Sequence, residues 1–142
     1  VVDLHAAGIA GATAALYPAG LTGREREAVV NALAARQPAP VSGAVAVQER
    51  FWSLDEVRVV VFTSGTTGAR RAVDVTTGQI VFSVFGSATR LGVLPSDRWL
   101  CPLPLYHVGG VMTLYRAAFQ ATCVELVSGS MRALLLKKWP RV

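Results

Sequence analysis

The feature that most restricts the fold is a run of β-branched and aromatic residues that leads directly into a glycine-rich segment. The run is Val57–Phe62, and the segment after it is Thr63-Ser64-Gly65-Thr66-Thr67-Gly68. A run of this kind predicts a strand, and the glycines predict a loop at its end. Such a loop suits phosphate, because glycines let backbone amides come close, hydroxyls donate to phosphate oxygens and the trailing Arg71 supplies positive charge.

The spacing of the glycines disfavours two better-known phosphate loops. A Walker loop needs four residues between its glycines and a Lys-Ser or Lys-Thr pair after them, whereas Gly65 and Gly68 enclose two residues. The dinucleotide pattern GxGxxG is also absent from the sequence. The remaining alternative is an ordinary turn, which is the usual fate of a segment rich in Gly, Ser and Thr.

The rest of the chain alternates between strand and helix patterns. Thr22 precedes Glu25 at the spacing of a capping box, which predicts a helix from Gly23 to about Arg36. Further helices are predicted at 76–91 and 108–119, and strands at 13–17, 72–75, 97–101 and 122–127, with a helix end at 3–10 and a loop at 42–50. Ile80, Val81, Val84, Phe85 and Ala88 are predicted to share one helix face. The alternation predicts an α/β fold with helices layered on a largely parallel sheet.

Composition sets limits on the class of protein. The 142 residues suffice for one domain, and 52% hydrophobic against 16% charged residues argues against disorder. So apolar a chain also suits part of a larger protein whose remainder covers some of its surface. The net charge of +5 could suit polyanions such as ATP or coenzyme A. No basic face interleaved with aromatics is apparent, so nucleic acid is not an expected partner.

Several kinds of site and location are not indicated. Cys101, Cys123, His5 and His107 lack metal-ligand spacing, so no metal site of the protein's own is expected. The longest apolar stretch, Ala6–Leu16, is too short to span a bilayer. A cytoplasmic setting is therefore expected, and the sequence leaves the oligomeric state open.

Two ordered motifs carry a resemblance to a known family. Val61–Gly68 resembles the signature loop of the adenylate-forming superfamily, which includes acyl-CoA synthetases, luciferases and peptide-synthetase adenylation domains. Leu103–Gly110 resembles that superfamily's next motif, an aromatic-His pair after Leu-Pro. The resemblance extends over most of the chain, from about His5 to Leu126. With the 90–100 segment, the second motif is most similar to the o-succinylbenzoate:CoA ligases of menaquinone biosynthesis.

The resemblance implies a partial N-terminal domain over residues 1–127, with a divergent tail at 128–142. Its implied reaction joins a carboxylic acid to coenzyme A through an acyl adenylate, using ATP and Mg²⁺. Thr63–Gly68 and Arg71 would hold the ATP phosphates, and Tyr106, His107, Gly109 and Gly110 would line the acid site. The adenine, ribose and C-terminal Lys motifs of the superfamily are missing, so the chain alone is expected to bind nucleotide weakly at best and to be inactive.

Departures from the family pattern keep alternatives open. Arg70, Arg71 and Ala72 stand where family loops carry Pro, Lys and Gly. The alternatives are therefore another acyl-CoA synthetase or a noncatalytic remnant that retains the fold. His107 could also be a structural residue, and the two glycines could only break the turn before a helix. If the resemblance holds, the loop joins two strands, and both motifs face one cleft at the carboxyl ends of their strands.

Overall fold

The computed structural model describes residues 12–35, 52–64 and 70–127. Its elements, in chain order, are β1 (Ala14–Leu16), α1 (Gly23–Ala34), β2 (Val57–Ser64), β3 (Arg70–Thr76), α2 (Thr77–Leu91), β4 (Arg98–Cys101), α3 (Val108–Gln120) and β5 (Cys123–Leu126). The predicted strands and helices within these ranges are confirmed to within a few residues at their ends. The predictions for 3–10, 42–50 and the tail at 128–142 lie outside the described residues.

The chain divides into two compact units, Val1–Ser83 and Val84–Val142. In the first unit β2 is the central strand, parallel to β1 and antiparallel to β3. The antiparallel pairing follows from the connection, residues 65–69, since a parallel pair needs a crossover of about a dozen residues or more. Val59 to Phe62 are all buried. An apolar run without alternation is what a strand covered on both faces requires.

Helix α1 begins at the predicted capping box. The Thr22 hydroxyl accepts from the Glu25 amide, and the Glu25 carboxylate accepts from the Thr22 amide. Because both groups are satisfied at the first turn, the helix starts at a fixed residue. Val29 of the helix and Leu21 before it form a buried cluster with Val60 and Phe62 of β2. This cluster fixes the helix against one face of the sheet.

Strand β2 carries a bulge and a buried arginine near its start. The register with β3 shifts between Val57 and Val59, so that Val57 packs against the same cluster as Val60. Arg58 lies in this bulge and is only 4% exposed. Its Nε donates to Thr77 Oγ1 at 3.1 Å, its Nη2 donates to Glu56 Oε2 at 3.0 Å, and its guanidinium lies 4.3 Å from the centre of the Trp52 ring. The arginine thus ties the start of α2 to β2.

Removing the buried arginine should cost more than removing an exposed one. We expect Arg58→Ala to lower the free energy of unfolding by about 2–4 kcal/mol, because it removes a buried guanidinium that binds Glu56 and Thr77 and stacks on Trp52. Arg98→Ala is the matched control, since Arg98 is 67% exposed in its pair with Glu125 and should cost less than about 1 kcal/mol. Urea unfolding of both variants measures the difference, and equal losses would contradict the role given to Arg58.

Helix α2 also begins at a capping box, which was not predicted from the sequence. The Gln79 amide donates to Thr76 Oγ1, and Gln79 Oε1 accepts from the Thr76 amide at 3.0 Å. Ile80 and Val84 are buried and Val81 and Ala88 are half-buried, in line with the predicted shared face, but Phe85 is 67% exposed, so its predicted place on that face is wrong. The reason is angular, because five residues at about 100° each put Phe85 about 140° around the axis from Ile80.

The second unit is a β–α–β arrangement. Strands β4 and β5 pair in parallel, with Trp99 opposite Val124, and α3 makes the connection between them. The helix buries Val111, Leu114 and Ala117, which recur at the spacing of one face. Parallel β1–β2 and β4–β5 pairs with an antiparallel β2–β3 pair confirm the predicted α/β class. Within the described ranges, no helix combines the length and apolarity that crossing a bilayer demands.

Candidate functional site

The mouth of the β2–β3 hairpin brings two predicted phosphate ligands together. Thr63 pairs with Arg71 across the strands, and directly opposed residues share one face of a sheet. The Thr63 hydroxyl donates to the Arg71 carbonyl oxygen at 3.4 Å, and both residues are exposed. Ser64 ends β2 with its backbone paired to Arg70. Gly65, Thr66, Thr67 and Gly68 lie outside the described residues, although the two strands predicted to flank them are confirmed.

The Arg71 side chain is exposed. No hydrogen bond or ion pair joins its guanidinium to any part of the chain that the structure describes. A guanidinium presents several N–H donors in a planar fork, which matches two phosphate oxygens at once. Together with the neighbouring hydroxyl, this arrangement can bind a polyphosphate.

Arg70 has different surroundings. Its Nε and Nη2 donate to Glu25 Oε1 at 3.3 and 3.0 Å, so its charge is already paired with helix α1. Successive residues of a strand point to opposite faces, which separates Arg70 from Arg71. Sequence reasoning missed this pair because Arg70 and Glu25 are 45 positions apart and no local pattern joins them.

The Glu25 carboxylate is held in its charged form. The Thr22 amide, the Thr22 hydroxyl and the Arg70 guanidinium all bind it and lower the pKa of Glu25 below its ordinary value of 4.5. Hydrogen bonds and a nearby cation both favour the ionised carboxylate. The same side chain therefore caps α1 and binds the strand that leaves the hairpin loop.

The lowered pKa of Glu25 predicts an acid dependence of stability. The contribution of Glu25 should be complete above its unfolded-state pKa and should be lost as the pH falls through its lower folded-state pKa. Glu25→Gln keeps a capping-box side chain but has no such titration, so wild type should exceed it in stability near neutral pH and lose that advantage in acid. Urea unfolding from neutral to acid pH measures the difference in stability between wild type and Glu25→Gln. A difference that did not change with pH would contradict the prediction.

The second motif forms a turn at the start of α3. The His107 backbone N–H donates to the Pro104 carbonyl at 3.0 Å, and the His107 carbonyl accepts from the Gly110 and Val111 amides. His107 is the N-cap residue, but its side chain makes no capping hydrogen bond. The imidazole is exposed and lies tilted against the Tyr106 ring, with the ring centres 4.8 Å apart. The side chain of His107 is therefore not used in capping the helix.

The two glycines of the motif lie inside the first turn of α3 and face the residues before it. A Cβ on Gly110 would come within 2.3 Å of the Pro104 carbonyl oxygen, and a Cβ on Gly109 within 2.8 Å of Leu103 Cδ1. The buried Cys101 thiol lies 3.6 Å from the carbonyl oxygens of Leu103 and Gly110. Close backbone packing thus accounts for the small size of Gly110, while its place beside an acid substrate stays a prediction.

The hairpin and the turn belong to different units. Thr63 and Arg71 lie in the first, and Tyr106, His107, Gly109 and Gly110 lie in the second. The prediction that both motifs face one cleft stays a prediction.

Comparison with known proteins decides the family. The family described as AMP-binding enzyme matches residues 5–140, which is nearly the whole chain. The chain belongs to the AMP-binding enzyme family. The superfamily predicted from Val61–Gly68 and Leu103–Gly110 is thereby confirmed.

Curated relatives of this AMP-binding enzyme chain include ligases of one kind. The 2-succinylbenzoate–CoA ligase of Bacillus subtilis (strain 168) is 37% identical over 78 residues, which cover 55% of this chain and 16% of that protein. The 2-succinylbenzoate–CoA ligase of Bacillus cytotoxicus is 37% identical over 95 residues, covering 67% of this chain and 18% of that protein. The matched region thus spans less than a fifth of the length of these relatives.

Solved structures agree with this family assignment. The o-succinylbenzoate CoA synthetase from Bacillus subtilis in complex with the acyl-adenylate intermediate OSB-AMP superposes with a TM-score of 0.78 and 25% identity, covering 94% of this chain and 41% of that one. The same enzyme in complex with ATP and magnesium ion gives a TM-score of 0.74 at 25% identity, covering 94% and 42%. The described fold is therefore that of part of an AMP-binding enzyme.

Proposed function

We propose that the protein carrying this chain is an ATP-dependent acid:CoA ligase with o-succinylbenzoate as its acid substrate. Membership of the AMP-binding enzyme family supports the reaction class. Identity to 2-succinylbenzoate–CoA ligases of several Bacillus species supports the choice of acid. ATP and coenzyme A are both cytoplasmic metabolites, so we expect the protein to act in the cytoplasm.

The proposed reaction has two steps. An oxygen of the acid's carboxylate bonds to the α-phosphorus of ATP, and pyrophosphate leaves to give an acyl adenylate. The sulfur of coenzyme A then bonds to the acyl carbon, the thiol proton passes to solvent, and AMP leaves. The first step depends mainly on positioning and on stabilising negative charge, so the protein needs cations and donors around the phosphates.

The observation that carries the proposal is the pairing of Thr63 with Arg71 at the hairpin mouth. In the ligase, the Arg71 guanidinium, which has no partner among the described residues, binds phosphate oxygens of ATP. The Thr63 hydroxyl joins it by turning from its long 3.4 Å bond to the Arg71 carbonyl, and the loop between the strands supplies backbone amides. The described residues offer no group of three or more His, Cys, Asp or Glu side chains that could hold a metal ion. In the proposed reaction magnesium enters as part of the ATP complex, where it would neutralise phosphate charge.

The proposed acid site is the turn before α3. The exposed imidazole of His107 and the adjoining Tyr106 ring offer one polar and one aromatic surface to an aromatic acid, with the thiol of coenzyme A entering beside them. Gly109 and Gly110 belong to the same proposed site, where their missing side chains let α3 pack closely against the residues before it.

The test is acid-dependent exchange of labelled pyrophosphate into ATP by the protein expressed from its own gene, followed by detection of the CoA thioester. We expect o-succinylbenzoate to support both reactions better than benzoate, succinate or a fatty acid. Exchange with a different acid, and none with o-succinylbenzoate, would show that the protein is an acyl-CoA synthetase with another acid substrate. Nucleotide binding without exchange for any acid would overturn the proposed ligase activity and favour the noncatalytic remnant.

His107 offers a test of the acid side. We expect His107→Ala to lower kcat/KM for the acid by about three- to tenfold, the worth of one polar contact, and to leave the KM for ATP unchanged. Stability should hardly change, because the side chain makes no capping bond. Steady-state kinetics with each substrate varied in turn checks this expectation. Equal losses for both substrates, or none for either, would return His107 to a structural role.

A further inference from the structure

Two adjacent arginines leave the loop with opposite surroundings. Arg71 is exposed beside Thr63 and has no side-chain partner among the described residues, whereas the Arg70 side chain is 24% exposed and bound to Glu25. The alternation of a strand puts them on opposite faces. Within the described part of the chain, Arg71 is therefore open to a ligand, whereas Arg70 is held by Glu25.

Glu25 is a firm anchor because both of its carboxylate oxygens are engaged. Oε2 accepts from the Thr22 amide at 3.0 Å and from the Thr22 hydroxyl at 2.9 Å, while Oε1 accepts from two nitrogens of Arg70. The carboxylate thus bridges the first turn of α1 and the first residue of β3. Helix α1 is itself fixed to the sheet through Val29.

The pair also has a consequence for strand register. A slip of one residue between paired strands turns every side chain to the other face. In β3 such a slip would turn Arg71 towards α1 and carry Arg70 to the open face beside Thr63. The ion pair with Glu25 opposes this exchange, because it exists only when Arg70 faces the helix.

We propose that Arg70 is a positioning residue, which by binding Glu25 holds β3 in the register that leaves Arg71 beside Thr63 to bind the ATP phosphates. This role rests on the proposed function. The positioning role accounts for arginine at position 70, where family loops usually carry proline. The ligand contact belongs to Arg71, and Arg70 acts only through its neighbour.

The test uses the full 142-residue chain with inorganic pyrophosphate and Mg-ATP as probes, in titrations followed by NMR. A half-exposed ion pair has a modest worth, so Arg70→Ala should weaken binding of both probes by about two- to fivefold. Glu25→Gln keeps the helix cap and should give a similar loss. The double variant should lose no more than either single variant, because both remove one interaction.

Ile80→Ala is the matched control for a general loss of stability. It removes buried methyl groups from α2 without touching the ion pair or the helix that carries Glu25, so binding should be unchanged at a temperature where the variant is folded. Arg70→Lys should recover part of the affinity, since an ammonium can still meet Glu25.

The outcomes separate the positioning role from the proposed function. If wild type binds, Arg71→Ala weakens binding and Arg70→Ala does not, the positioning role is overturned and the proposed function stands. Losses that multiply in the double variant would also overturn it, because the two residues would then act independently. If neither wild type nor any variant binds either probe, in this chain or in the protein expressed from its own gene, the proposed phosphate site is wrong, and the positioning role is overturned with it.

Discussion

Gly110→Ala is expected to lower the free energy of unfolding by about 3 kcal/mol or more, because the site has no room for a methyl group. The added Cβ would lie 2.3 Å from the Pro104 carbonyl oxygen and 2.9 Å from the Leu103 carbonyl oxygen. Both obstacles are backbone atoms, so relief requires α3 to move away from the turn that carries His107. The expected loss therefore reports the close contact between helix and turn.

Two other glycines serve as controls for this substitution. Gly86 lies in α2 with nothing within 4 Å of an added Cβ, so Gly86→Ala should stabilise by about 0.5–1 kcal/mol through helix propensity. Gly109→Ala would meet the end of the Leu103 side chain, which can move, and should cost less than Gly110→Ala. Urea unfolding of the three variants measures their order of stability. A Gly110→Ala chain as stable as wild type would contradict the described packing.

Arg71→Ala should raise the Kd for pyrophosphate by about 10- to 100-fold, the range expected for loss of a charge-assisted hydrogen bond. The expectation is large because no described residue competes for this guanidinium, and because Thr63 beside it supplies only a neutral donor. Isothermal titration calorimetry on the full chain measures the change. Binding should also weaken as salt is added, since phosphate binding here depends on charge.

Two substitutions distinguish a specific contact from net charge. Arg71→Lys restores the residue type usual in the family and keeps the positive charge but gives up the planar fork, so its Kd should fall between those of wild type and Arg71→Ala. Arg90→Ala removes one exposed charge from the last turn of α2 and should change the Kd hardly at all. Similar losses for Arg71→Ala and Arg90→Ala would show that net charge alone attracts the ligand.

Much of the fold could be predicted from local patterns. The strand at Val57–Phe62 follows from β-branched residues, and the start of α1 follows from the Thr22–Glu25 spacing, because each signal lies within a few residues of the element it specifies. The exposed side of α2 was predicted less well. Phe85 is apolar but lies off the buried stripe, and hydrophobicity alone does not show where a stripe ends.

The residues of the candidate site were likewise predictable only where the signal is local in sequence. Motif spacing singled out Thr63, Arg71 and His107, since a glycine loop and an aromatic-His pair are local in sequence. The partner of Arg70 could not be predicted, because the contact with Glu25 exists only once α1 packs on the sheet. The contact that requires a glycine at 110 was equally hidden, since it depends on how closely the Pro104 carbonyl approaches α3.

The most direct measurement of the central claim is a map of backbone amide shifts as Mg-ATP is titrated into the full chain. If the β2–β3 hairpin binds the phosphates, the largest shifts will fall on Thr63, Ser64, Arg70, Arg71 and the loop between the strands, and pyrophosphate will reproduce them. Shifts that are absent from this hairpin while appearing elsewhere in the chain would contradict the assignment of the phosphate site.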